Sequence, residues 1–202
     1  MILSAEKSLL STAKIFLAMS CLLAVVGILD TRVLASGSGV WTKPARFMLS
    51  FGIHAASMWI FVKLIAKAAN VGKWMRSALW IQIGVLWVEI ACITLQGARG
   101  VESHFNHSTA FDTWVFRVMG WGTGALFISQ VMILADLLFR KARPRDLRML
   151  LAGGTMLSIF GGAIGLMMVL PNPTQRILLE QGERLAVIGS HLVGSTTALK
   201  IP

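Results

Sequence analysis

Five apolar runs succeed one another along this chain, each close to the ~20 residues that a helix needs to cross the hydrocarbon core of a bilayer. They are drawn at 15–35, 47–66, 77–96, 114–139 and 149–170. A backbone in lipid has to satisfy its own N–H and C=O groups, so runs of this kind fold as helices. The expected fold class is therefore all-α: a polytopic transmembrane helical bundle of about five spans, with residues 1–202 forming a single transmembrane domain. Composition agrees, with 14% charged residues and a mean hydropathy of +0.72. An ordinary soluble domain carries roughly 25% charged residues.

The formal net charge of +10 invites a nucleic-acid reading, because basic patches attract phosphate. Placement argues against it. Most Lys and Arg flank the apolar runs, as the positive-inside rule requires, and no nucleic-acid partner is needed to explain them. Lys63, Lys67, Lys73 and Arg76 surround the second loop, and Arg140, Lys141, Arg143, Arg145 and Arg148 surround the fourth. Both loops are expected on the cytoplasmic side, and the N-terminus, with Lys7 and Lys14, beside them. The expected location is the cell inner membrane, multi-pass, with the lipid bilayer as the first partner. "KIFLAMSCLLAVVGILD" (14–30) has the flank and apolar stretch of a leader, but Asp30 and Arg32 follow without a clean small-x-small site. A retained first helix is expected rather than cleavage.

Gly120 and Gly124 in the fourth run, and Gly161 and Gly165 in the fifth, have the spacing that lets helices approach closely in lipid. Packing inside one bundle is expected from them in preference to dimerisation. Trp41, Trp74, Trp80, Trp114 and Trp121 sit near run ends, as an interfacial belt does. Cys21 and Cys92 fall inside apolar runs and point neither to a disulfide nor to zinc.

An ionisable residue inside a span is expensive and is a functional candidate by default. Asp30, His54, Glu89 and Asp136 qualify. Asp136 has a structural explanation in Arg140, one turn on. Gln82, Glu89 and Gln96 recur every seven residues and share one face of the third helix; Ser50, His54 and Ser57 share a face of the second. Counted from the run ends at Phe47 and Gln96, His54 and Glu89 lie at one depth, about 10 Å below the outer interface. An outer-facing polar pocket between helices two and three follows as the expectation. The alternative is that the two stripes only hold the helices together.

"LQGARGVESHFNHSTAFD" (95–112) leaves the third run directly above that level. Arg99-Gly100 can turn back over the helix end, which brings His104 and Asn106 to the pocket mouth, while Lys43 and Arg46 approach from the first loop. The candidate pocket residues are thus His54, Glu89, Gln96, Arg99, His104, Asn106, Lys43 and Arg46, with His107 left to solvent.

"WTKPARF" (41–47) and "LQGARGVESHFN" (95–106) resemble the W-x-K-P-x-[KR]-F and R-G-x-x-S-H-F-N stretches of a family of uncharacterised bacterial multi-spanning inner-membrane proteins. The resemblance covers about residues 35–120 with motifs and the rest by hydropathy. It implies fold and location and brings no activity. It also implies that longer members continue with further membrane segments, so an architecture extending past Pro202 is expected.

Basic residues around the mouth favour a small or lipid-like anionic substrate, for a carrier or an intramembrane enzyme. The alternative is an accessory or assembly subunit with a membrane-protein partner. Haem would need axial ligands on facing helices, and His54 is the one His inside a span. A metal at His54, Glu89 and His104 has no supporting close spacing, so neither a metal site nor a cofactor is assigned. No nucleophile motif, phosphate loop or dinucleotide fingerprint is present to decide between enzyme and carrier.

Overall fold

The computed structural model describes residues 2–34, 36–68, 70–140, 144–168, 170–185 and 188. Six helices follow in order: α1 (Ile2–Leu29), α2 (Thr42–Ala68), α3 (Lys73–Arg99), α4 (Ala110–Phe139), α5 (Arg145–Met167) and the short α6 (Pro173–Glu180). The first five are long and apolar enough to cross a membrane, and no strand occurs among the described residues. The chain is an all-α, multi-pass membrane protein with five spans among the described residues. The loops α1–α2 and α3–α4 mark one end of the bundle, called the upper end here; α2–α3 and α4–α5 mark the lower end.

The first helix is displaced from the expected 15–35: it begins at Ile2 and stops at Leu29. Its buried stripe starts with Ala5 and Leu9 and continues through Ala13, Phe16 and Leu23, so the packed face lies well before residue 15. Beyond Leu29, Asp30 closes on Arg32 at 2.7 Å and accepts a bond from the Trp41 indole at 2.7 Å, so the chain turns where the apolar run was expected to continue. Asp30 is thus at the interface and not inside a span. The fifth helix ends at Met167, and Asn172 and Gln175 form a reciprocal capping box that starts α6, a helix beyond the five expected runs.

α1 and α2 approach closely at Gly52, where a β-carbon would come 2.9 Å from the Leu17 side chain and 3.2 Å from its backbone nitrogen. Phe16 packs edge-on against Trp87 of α3, with centroids 4.7 Å apart, and Trp87 donates to Thr12 at 3.2 Å. The apolar core is thus built from α1, α2 and α3, joined at the lower end by Ile133 and Leu137 of α4 and Ala152 of α5.

The Gly-spaced faces do not pack as expected. A β-carbon on Gly120, Gly124, Gly161 or Gly165 would meet nothing within 4 Å, and of the α5 glycines only Gly162 touches another helix, through Phe127 at 3.5 Å. From Phe160 to its end α5 is almost wholly exposed. The physical reason is that α5 buries residues only in its lower half, at Ala152 and Thr155.

Past α6 the chain returns over the upper end, where the Ile188 N–H donates to the Phe105 carbonyl at 3.2 Å. Residues 186–187 and 189–202 lie outside the described residues, as do Lys141, Ala142 and Arg143 of the basic fourth loop.

Candidate functional site

The stripe of α3 is buried as its spacing implied: Gln82, Glu89 and Gln96 are 0%, 4% and 0% exposed. Each meets a different neighbour, however, and the stripe does not form one pocket with α2. His54 Nε2 lies 3.2 Å from the Gln82 carbonyl oxygen and not beside Glu89. At the level of Gln82, His54 lies about two turns of α3, roughly 10 Å, below Glu89. Glu89 instead lies over Gly122 of α4, and its Oε1 has no hydrogen-bond partner. The expected pocket between helices two and three is therefore corrected: its two ionisable residues part company.

Gln96 belongs to a third group, at the upper end. It donates to Asp112 Oδ1 at 2.9 Å, and Arg99 bonds both the Gln96 carbonyl oxygen and Asp112, the latter at 2.5 Å. Asp112, buried and absent from the expected residues, accepts the Thr109 hydroxyl at 2.6 Å while Thr109 caps α4. The Thr-x-x-Asp spacing before an apolar run was the signal for it. Arg99 also stacks over Phe111, 4.7 Å from its centroid.

The loop that follows is a packed cap. Gly100 has φ 72°, the left-handed turn that ends α3 and favours glycine. Asn106 donates to the Glu102 carbonyl at 3.0 Å and accepts from the Ser108 N–H at 3.0 Å, so its side chain staples the loop instead of facing a pocket. His104 sits 5.5 Å from the Phe47 ring. His107 is half-buried against Phe116 rather than left to solvent; burial, and then the nearby Arg117, hold its imidazole below the ordinary value. The first loop reaches α3 because Gly97 leaves room: a β-carbon there would come 2.8 Å from the Val40 carbonyl oxygen and 2.9 Å from Pro44.

Two kinds of open space remain, and α2 links them. At the upper end a cavity of about 380 Å³ is lined by Lys43, Arg46, Thr42, Phe47, Ser36, Ser38, Leu34 and Glu102. Lys43 and Arg46 are brought together here as expected; Glu102, which was not, adds a carboxylate beside Lys43. Deeper, two adjoining clefts of about 360 and 200 Å³ open between α2, α4 and α5. His54, Gln130 and Ser158 line both; Ser50, Phe51 and Thr123 add to the first, Ser57 and Thr155 to the second. Lys43, Arg46, Ser50, His54 and Ser57 succeed one another by three or four residues, so a single face of α2 runs from the basic cavity to mid-span. Gln130 and Ser158 were not expected because the neutral polar residues weighed were those sharing a helix face with His54 or Glu89.

Among the described residues no three of His, Cys, Asp or Glu converge as metal ligands would, so His54, Glu89 and His104 are not brought together. Five spans with polar cavities at one end and at mid-depth define a multi-pass membrane protein with an internal polar face. Compared with protein families, curated proteins and solved structures, the chain matches none.

Proposed function

We propose that this chain is a bacterial inner-membrane protein that holds a lipid-like anionic substrate along α2, as a carrier or an intramembrane enzyme. One observation carries the reading: the same face of α2 lines a cavity with two cations at the upper end and the clefts around His54 at mid-span. Lys43 to His54 covers about 16 Å of helix, comparable with one leaflet's share of a ~30 Å core. An acidic head at Lys43 and Arg46 and a tail reaching Ser50 and His54 match that layout. The basic loops at the lower end support a cytoplasmic N-terminus and an outward upper cavity. The test is titration of the detergent-purified protein with a short-chain phosphatidylglycerol and its phosphatidylcholine counterpart. The acidic lipid is expected to bind more tightly, and Lys43→Ala with Arg46→Ala to abolish the difference; equal affinities in the wild type would contradict the reading.

A second reading, an accessory subunit of a larger membrane complex, is favoured by the exposed upper half of α5 with Gly161 and Gly165 facing open space. Native electrophoresis of solubilised membranes tests it. A complex much larger than 22.0 kDa plus detergent, lost on Gly165→Leu, is the expected result; migration as a monomer would remove this reading.

A further inference from the structure

We infer a second lipid site at the opposite end: a groove on α4 that takes an anionic glycerophospholipid, its phosphate at Arg140 and an acyl chain along the helix. It is independent of the α2 face. The groove encloses about 540 Å³, and its walls include Phe127, Val131, Ala135 and Phe139 of α4 and Trp74 of α3. These α4 positions recur by four residues and form one continuous apolar strip. From Phe127 to Phe139 the strip is about 18 Å long, slightly more than half a ~30 Å hydrocarbon core, and so matches one leaflet.

The polar end of the groove is built. Arg140 also lines it and lies against the backbone of Gly72, where a β-carbon would come 1.9 Å from its Nη1, so the guanidinium occupies room that only glycine leaves. Its carboxylate neighbour Asp136 is 3.7 Å away and buried, on the inner side, while the Arg140 side chain is 45% exposed. A guanidinium has five N–H donors, and one distant carboxylate leaves most of them for a phosphate. Lys73 is next to Trp74, its Nζ 5.8 Å from that ring, so among the described residues this end carries two cations against the buried Asp136 carboxylate. Trp74 is exposed at the first turn of α3, where an indole suits the headgroup level. Charge complementarity thus selects an acidic head over a zwitterionic one, and the apolar strip selects a membrane lipid over a free phosphate.

Native mass spectrometry of the detergent-purified protein tests this, with dioleoyl phosphatidylglycerol and dioleoyl phosphatidylcholine as probes on a Lys43→Ala/Arg46→Ala background that removes the upper cations. Phosphatidylglycerol is expected to be retained about fivefold better, the usual gain for one basic residue at a membrane surface. Arg140→Gln should abolish that preference, and Arg145→Gln, at the same end but outside the groove, should keep it. Equal retention of the two lipids, or equal loss in both Arg variants, would overturn the site. Because Arg140→Gln removes a cation beside the buried Asp136 and can unfold the protein, Ala135→Trp provides a second route: it fills the groove without changing charge. Loss of the preference there supports the site, and its survival in a folded Ala135→Trp protein overturns it.

Discussion

The Glu89 carboxyl occupies the space that a side chain on Gly122 would need: a β-carbon there would come 2.8 Å from its Oε1 and 3.2 Å from Val85. Gly122→Ala is therefore expected to forgo the gain of about 1 kcal/mol that alanine brings to a helix interior, because the new methyl group has to displace the carboxyl. Glu89→Ala should restore most of that gain. Thermal unfolding of both single variants and the double variant measures the coupling, expected at about 1 kcal/mol. Strict additivity would show that the two residues do not touch.

His54 and Gln82 make a second separable pair. Gln82→Leu leaves the imidazole without its partner and is expected to cost about 1–3 kcal/mol. Replacing both by Leu removes the stranded group as well and should recover part of the stability. If the α2 face binds an amphiphile, the double variant folds and still binds it more weakly. A double variant less stable than Gln82→Leu would show that His54 has other support.

At the upper end, Asp112 is buried and holds Arg99, Gln96 and Thr109 together. Arg99→Ala removes its charge partner. The loss is expected to be about 1–3 kcal/mol, below the figure for a fully buried pair because the Arg99 side chain is 35% exposed. Asp112→Asn keeps the size and one acceptor and should cost less. Denaturation curves of the two variants give the order directly; the reverse order would contradict this role for Asp112.

Hydrogen bonds from Arg32, and then from Trp41, hold the Asp30 carboxyl well below the usual carboxylate range. Its folded-state pKa is depressed, so its contribution is complete above the ordinary value of 3.8 and is lost only as the pH falls below it. Asp30→Asn should accordingly lower the melting temperature equally at pH 5 and pH 8. A difference that vanishes between those two values would mean that another group is titrating.

The spans were legible because a bilayer tolerates few alternatives to apolar helices, and the seven-residue spacing of Gln82, Glu89 and Gln96 rightly placed all three on a buried face. Their partners were not legible. Both helices run past their expected ends, α2 from Thr42 and α3 to Arg99, so depth counted from the run ends did not fix which α3 residue meets His54, and the apolar pattern alone does not show that Thr42, Lys43 and Arg46 are already helical. The α5 glycines illustrate a further limit: their spacing permits close approach, but the tilt of a whole helix decides whether a neighbour is there. Glu102, Asp112 and Gln130 entered only once loops and helix rotations were in place.

The most direct measurement for the α2 face is photo-crosslinking with an acidic phospholipid that carries a diazirine at the tail end, mapped by peptide mass spectrometry. The head bound at Lys43 and Arg46 predicts tail adducts clustered at Ser50–Ser57 of α2 and around Ser158 of α5, reduced by Lys43→Ala with Arg46→Ala. Adducts spread over lipid-exposed positions such as Leu22 and Val25 of α1, unchanged in that variant, would contradict it.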